Sequence, residues 1–189
     1  MADRLIETMT KSAARQYGRE RVDELAHALQ CAELADAAGA DEELVLACLL
    51  HDVGRYAVAQ EGISDTLERI SARPATGCGH HEAGADLVAP YVPERVGFLI
   101  RAHAEAKRYL CTTEPGYWDL LSPGSKHTLA LQGNLMTAQE VERAKGQPWW
   151  PEAICLRRWD DAAKVVGRST RELAAWEPLL RKYFGRPVA

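Results

Sequence analysis

The chain has 189 residues, 47% of them hydrophobic and 26% charged, which suits one domain with a substantial core and is short for two. Its net charge of -4, with no basic tract, argues weakly against a nucleic-acid surface, the charged N-terminal stretch lacks the apolar core of a signal peptide, and no later run approaches the length of a membrane span. A cytoplasmic location is expected, and the five scattered cysteines (Cys31, Cys48, Cys78, Cys111, Cys155) read as reduced thiols, not as a disulfide framework or a thiolate zinc site.

Helical periodicity recurs and strand-like alternation is nearly absent, so the expected fold is all-α. A first helix is expected over residues 3–16, stopping near Gly18. A second is expected over residues 19–38, with Gly39 as its left-handed terminator. Asp41 is the N-cap of a third, which ends in the run Leu49-Leu50-His51-Asp52-Val53-Gly54-Arg55. A buried carboxylate beside a buried imidazole is costly without a cation, and a metal ion is one economical partner. Residues 60–79 read as irregular, with a short helix at 65–70, and are the candidate lid. His80-His81-Glu82 opens a helix that ends before Pro90, and residues 94–110 form a long one. Ser122-Pro123-Gly124-Ser125 reads as a turn before a helix over 126–131. Thr137-Ala138-Gln139-Glu140 and Ser169-Thr170-Arg171-Glu172 both fit the capping box, and Pro151 suits the start of a helix over 152–166. No repeat or linker divides the chain, so residues 1–189 are expected to be a single domain.

Four of the six histidines, His27, His51, His80 and His103, together with Asp52 and a late aspartate in Trp159-Asp160-Asp161, follow the order H...HD...H...H...D. Imidazole with carboxylate suits Fe, Mn or Zn. Six ligands exceed the need of one open catalytic metal, whereas two metals bridged by Asp52 use them all. His127 stands outside the pattern and reads as an ordinary surface or core histidine.

Cations recur one helical turn from these ligands. Arg55 is four after His51, Lys107 four after His103, and Arg157 three before Asp160, which points to an anionic, phosphate-like substrate held against the metals. Ser125 and Thr128 can add hydroxyl donors. Glu20, seven before His27, would share its helical face and pair with a cationic end of the substrate, and Tyr17 could offer a phenol to a metal. Trp149, Trp150 and Tyr56 read as core, with an aromatic box for a large cation as the alternative.

These residues resemble the HD superfamily, and more closely its oxygen-using branch, which includes myo-inositol oxygenase and the di-iron oxygenases that cleave the carbon-phosphorus bond of 1-hydroxyphosphonates. The resemblance runs from Tyr17 to Phe184. It is strongest in His103-Ala104-Glu105-Ala106-Lys107-Arg108-Tyr109-Leu110-Cys111, Leu121-Ser122-Pro123-Gly124-Ser125, Leu131-Gln132-Gly133 and Leu156-Arg157-Arg158-Trp159-Asp160-Asp161-Ala162-Ala163-Lys164. It implies an HD-type helical bundle in which His27, His51, Asp52 and Asp160 hold one iron and Asp52, His80 and His103 the other.

His80 is preferred over His81 because H-x-x-x-G, ending at Gly84, fits the family, and Asp160 over Asp161 because it follows Arg157 by three. Catalytic roles are implied for Tyr17, Glu20 and Lys107, and substrate contacts for Glu20, Arg55, Lys107, Ser125, Thr128 and Arg157. Arg55 departs from the pattern, since an aminophosphonate-cleaving member carries histidine there. The implied cofactors are two iron ions, Fe(II)/Fe(III), with O2 as co-substrate. The implied substrate is a small 1-hydroxyphosphonate with a cationic 2-substituent, 2-amino-1-hydroxyethylphosphonate or its N-trimethyl analogue, giving glycine or glycine betaine plus phosphate. No nucleic acid, membrane or obligate protein partner is expected. A metal-dependent phosphohydrolase and a non-catalytic ligand-binding module are the alternatives.

Overall fold

The computed structural model describes residues 1–58 and 79–185, except for the side chains of residues 56–58. All of the candidate lid over residues 60–79 except Gly79, and the Tyr56 side chain, therefore lie outside the described residues. Among the described residues the fold is all-α, with one isolated antiparallel bridge between Gln16 and Asp23 and no strand.

Helix α1 is Ala2–Ser12, shorter than the sequence suggests, and α2 is Glu24–Ala37, starting five residues later than expected. The reason is local. Asp23 caps α2 by accepting the Ala26 amide, and the bridge to Gln16 draws residues 16–23 into a loop with Gly18 at φ +55°. Glu42–Leu50 forms α3, capped by the Asp41 carboxylate. His51 and Asp52 make the turn into α4, Val53–Val58. The four-residue spacing from His51 to Arg55 therefore spans a break between helices.

Helices α5, His80–Val88, and α6, Glu94–Thr113, follow. After α7, Tyr117–Leu120, the stretch expected as a turn is itself the start of α8, Pro123–Leu131, with Ser122 as N-cap and proline in the first turn. Helix α9, Ala138–Lys145, has the expected capping box between Thr137 and Glu140. Helix α10, Trp150–Ala162, stops four residues early, because the Gln30 amide grips Val165 by both its N–H and its carbonyl. The second capping box does not form. Arg171 instead binds Glu33 and Asp36 on α2, and a 3-10 turn at Leu173–Trp176 leads into α11, Glu177–Phe184.

The core lies where α2, α3, α5, α6 and α10 pack, and it includes the fully buried Leu46, Leu49, Leu50, Leu99, Ile100 and Leu156. Burying each such side chain stabilises the fold by about 1.5–3 kcal/mol. Cys31 and Cys48 are buried free thiols within it, as their helical patterns suggest. Trp150 is buried against Tyr109, and Trp149 packs on Phe98, so both are core residues.

Candidate metal centre

Five helices converge on one buried cluster. His27 comes from α2, His51 and Asp52 from the turn after α3, His80 from the first residue of α5, His103 from α6 and Asp160 from α10. His27, His51, Asp52, His103 and Asp160 are each at most 3% exposed.

The imidazoles are held in one orientation by backbone carbonyls. His51 donates from Nδ1 to the Cys48 carbonyl at 2.8 Å, and His103 to that of Ile100 at 2.7 Å. His27 donates to the Ala163 carbonyl at 2.8 Å, an acceptor left free because α10 ends there. With Nδ1 protonated, each Nε2 presents a lone pair inward. Nε2 of His27 and Nε2 of His51 are 3.1 Å apart, and those of His80 and His103 are 3.3 Å apart. Two lone pairs at that distance repel unless a cation, a proton on one ring or a metal ion, lies between them. Donors sharing a metal at about 2.1 Å are separated by about 3.0–3.4 Å, so this spacing fits coordination.

Asp52 faces both pairs. Its Oδ2 lies 3.8 Å from His27 Nε2 and 3.5 Å from His51 Nε2, and its Oδ1 lies 3.0 Å from His80 Nε2 and 3.9 Å from His103 Nε2. Asp160 Oδ1 adds to the first pair, 3.3 Å from His27. Two donor groups result, His27-His51-Asp52 and Asp52-His80-His103, each with its atoms within 4.8 Å of one another, and each can hold a metal ion.

The electrostatics also demand positive charge. Burial would raise Asp52 and Asp160, yet His51 and His80 beside the first, and Arg157 and Lys164 beside the second, hold both well below the usual carboxylate range. Burial opposes a charge on His51, but Asp52 and other neighbours carry it up to about 10, while burial pushes His27 and His103 down. The cluster thus seeks a cation at its centre. His81 stands edge-on to His80 and His103 and belongs to neither donor group.

Above the cluster is a cavity of about 100 Å³. Tyr17, Glu20, Arg55, His80, His103, Lys107, Ser125, Thr128, Arg157 and Asp160 all line it, so every substrate contact inferred from sequence reaches one space. Lys107 donates to Thr128 Oγ1 at 2.7 Å, and burial with the nearby Arg157 charge pushes its ammonium down to about 7. Arg157 is paired with Asp160 at 2.6 Å and with Asp161, and it reaches Ser125 Oγ at 3.4 Å.

Tyr17 and Glu20 reach the cavity from the loop before α2, not from its helical face. The Tyr17 ring stacks on His27, centroids 3.9 Å apart, and the Arg55 guanidinium lies over the Tyr17 ring, 4.8 Å from its centroid. Glu20 accepts a hydrogen bond from Ser122 at the start of α8.

Four contributors escaped the sequence reading. Lys164, 3.1 Å from Asp160, carried a legible signal, the same four-residue spacing that marked Lys107. The buried Glu24, which pairs with Arg15 and Arg55, looks in sequence like an ordinary first-turn acid. His127, expected to be an ordinary histidine, and Gln132, in the Leu131-Gln132-Gly133 stretch that carries part of the resemblance, also line the cavity.

Residues 25–163 match the HD domain family. The chain is 38% identical over 154 residues, 82% of its length and 74% of the relative's, to a hydroxymethylphosphonate dioxygenase of Gimesia maris. It is 33% identical over 169 residues, 88% of its length and 82% of the relative's, to a glycine-betaine-forming [1-hydroxy-2-(trimethylamino)ethyl]phosphonate dioxygenase of Leisingera caerulea. An uncharacterized protein of Acanthamoeba polyphaga mimivirus is 31% identical, over 88% of this chain and 74% of its own length. Fold, donor set and these likenesses agree, and the chain belongs to the HD-domain family, within which it resembles the hydroxyphosphonate dioxygenases.

Proposed function

We propose that the protein is a di-iron oxygenase that cleaves the carbon-phosphorus bond of a 1-hydroxyphosphonate with O2, releasing a carboxylate and inorganic phosphate. The observation that carries this reading is Asp52, whose two oxygens face two separate histidine pairs beneath a cation-lined cavity. Two named dioxygenases among the relatives support the same chemistry. The stoichiometry closes without a reductant: the substrate's C–H and C–P bonds are lost, both oxygen atoms are taken up, and the four electrons O2 needs come from the hydroxylated carbon.

His27, His51, Asp52 and Asp160 would hold one iron and Asp52, His80 and His103 the other, an Fe(II)/Fe(III) pair supplying O2 activation and chelation of the substrate hydroxyl. The chain's own residues bind and orient. Lys107, Ser125, Thr128 and Arg157 receive the phosphonate oxygens with charged and hydroxyl donors. Arg55 adds a second positive wall. Glu20, at the far rim beside Ser122, faces a cationic 2-substituent, as in 2-amino-1-hydroxyethylphosphonate or its N-trimethyl analogue. Tyr17, stacked on His27, lines the cavity beside the donors and could offer its phenol to a metal, and burial, with the Asp52 and Asp160 charges, raises that phenol well above 10.

The test loads the protein anaerobically with ferrous iron and offers hydroxymethylphosphonate and the two cationic substrates, with and without O2. Phosphate release only with O2 is expected. Equal release in both atmospheres would identify a hydrolase, and tight binding without product a ligand-binding module. Glu20→Gln should raise KM for the cationic substrates at least tenfold more than for hydroxymethylphosphonate; equal losses would remove its role.

A further inference from the structure

The ligands of the two proposed metal positions are placed by different parts of the fold. His27, His51 and Asp160 sit on α2, α3 and α10, whose interfaces are filled by large core side chains and closed by the Ala163 carbonyl. His80 is placed by other elements. It is the first residue of α5, and its place depends on how α5 meets its neighbours α4 and α6.

That meeting is backbone against backbone. A Cβ on Gly54 would lie 2.0 Å from the His80 carbonyl oxygen and 2.6 Å from the Gly84 amide nitrogen. From the other side, a Cβ on Gly84 would lie 3.0 Å from the Gly54 nitrogen and 3.2 Å from Val53 Cγ1. Neither glycine has a left-handed φ, so close approach, not backbone freedom, is what requires glycine here. The contact involves the carbonyl of a proposed ligand, His80, and the residue two past another, Asp52. It therefore sets the 3.0 Å between Asp52 Oδ1 and His80 Nε2.

We infer that Gly54 and Gly84 are positioning residues for the second metal position alone: their crossing lets α5 approach α4 closely enough to complete the Asp52-His80-His103 group. The inference rests on the two-metal reading above. A methyl group at position 54 must displace backbone, and an error of about 1 Å in a ligand is enough to spoil a metal site. The first group shares Asp52, in the turn before α4, but its other donors, His27, His51 and Asp160, lie outside α4 and α5, so it should survive.

The measurement is iron content per chain after anaerobic loading with Fe(II) and desalting, by elemental analysis, with helix content by circular dichroism. Wild type should hold two irons, and Gly54→Ala one, with helicity retained. Gly84→Ala introduces the milder contact and should bind the second iron at least tenfold more weakly. It decides the matter if Gly54→Ala does not fold. Gly97→Ala on α6, where a Cβ meets nothing within 4 Å, is the control and should hold two. Two irons at unchanged affinity in the glycine variants, or equal loss of both irons in a folded variant, overturns the inference alone. A wild type that holds one iron overturns the two-metal reading and the inference with it.

Discussion

Lys107 illustrates how burial sets the working charge of the cavity. At 2% exposure, with Arg157 nearby, its ammonium is pushed down to about 7, so it is charged below that pH and neutral as the pH rises through it. KM for a hydroxyphosphonate is therefore expected to rise above about pH 7. Lys107→Arg, whose guanidinium keeps its charge, should remove that rise. An unchanged profile in the variant would assign the inflection elsewhere. Arg157 is a buried cation between Asp160 and Asp161, and removing one partner of such a pair leaves uncompensated buried charge. Arg157→Met should cost about 3–5 kcal/mol in urea unfolding of the metal-free protein, with Lys164 offsetting part of the loss. A loss under about 1 kcal/mol, typical of surface pairs, would show that water reaches the pair. The residue types at these positions were legible because donor and charge chemistry belongs to each side chain. Two of the reasons were not sound: Arg55 follows a helix break and Glu20 sits on a loop, yet both line the cavity.

Among the elements, two caps written in neighbouring residues form as expected, two more, Asp23 and Ser122, are found only in the structure, and one expected cap is displaced by distant partners. Asp41 and the Thr137-Glu140 box form as the sequence suggests, because every atom involved lies within three residues. The box at Ser169 is lost because Arg171 finds Glu33 and Asp36, more than 130 residues away. The start of α2 shifts for a local reason, since the Gln16–Asp23 bridge takes the preceding turn. Thr137→Ala removes a cap that also orients Glu140 toward Arg108, and it should lower stability by about 1 kcal/mol without changing metal content. If iron binding falls as well, α9 is coupled to the centre in a way its position does not suggest.

For the whole molecule, the cluster is a tie between helices remote in sequence, from α2 to α10. Metal bound only to the folded state stabilises by mass action, about 2.7 kcal/mol at a hundredfold excess over Kd. Chelation should therefore lower Tm by roughly 5–10 °C for a chain of this size. An unchanged Tm would mean that the donors are not bridged.

What the sequence determined by itself is the all-α class, the ordered set of histidines and aspartates, the cations near it and the membership of a family, because helical period, donor chemistry and motif order are carried by residues and their near neighbours. What only the tertiary structure decided is the geometry that brings those donors together. The split of the Asp52 oxygens between two histidine pairs, the loop that lays Tyr17 on His27, and the glycine crossing that brings His80 to Asp52 are contacts between segments distant in the chain. Their distances are set by the packing of helices, which no local pattern encodes.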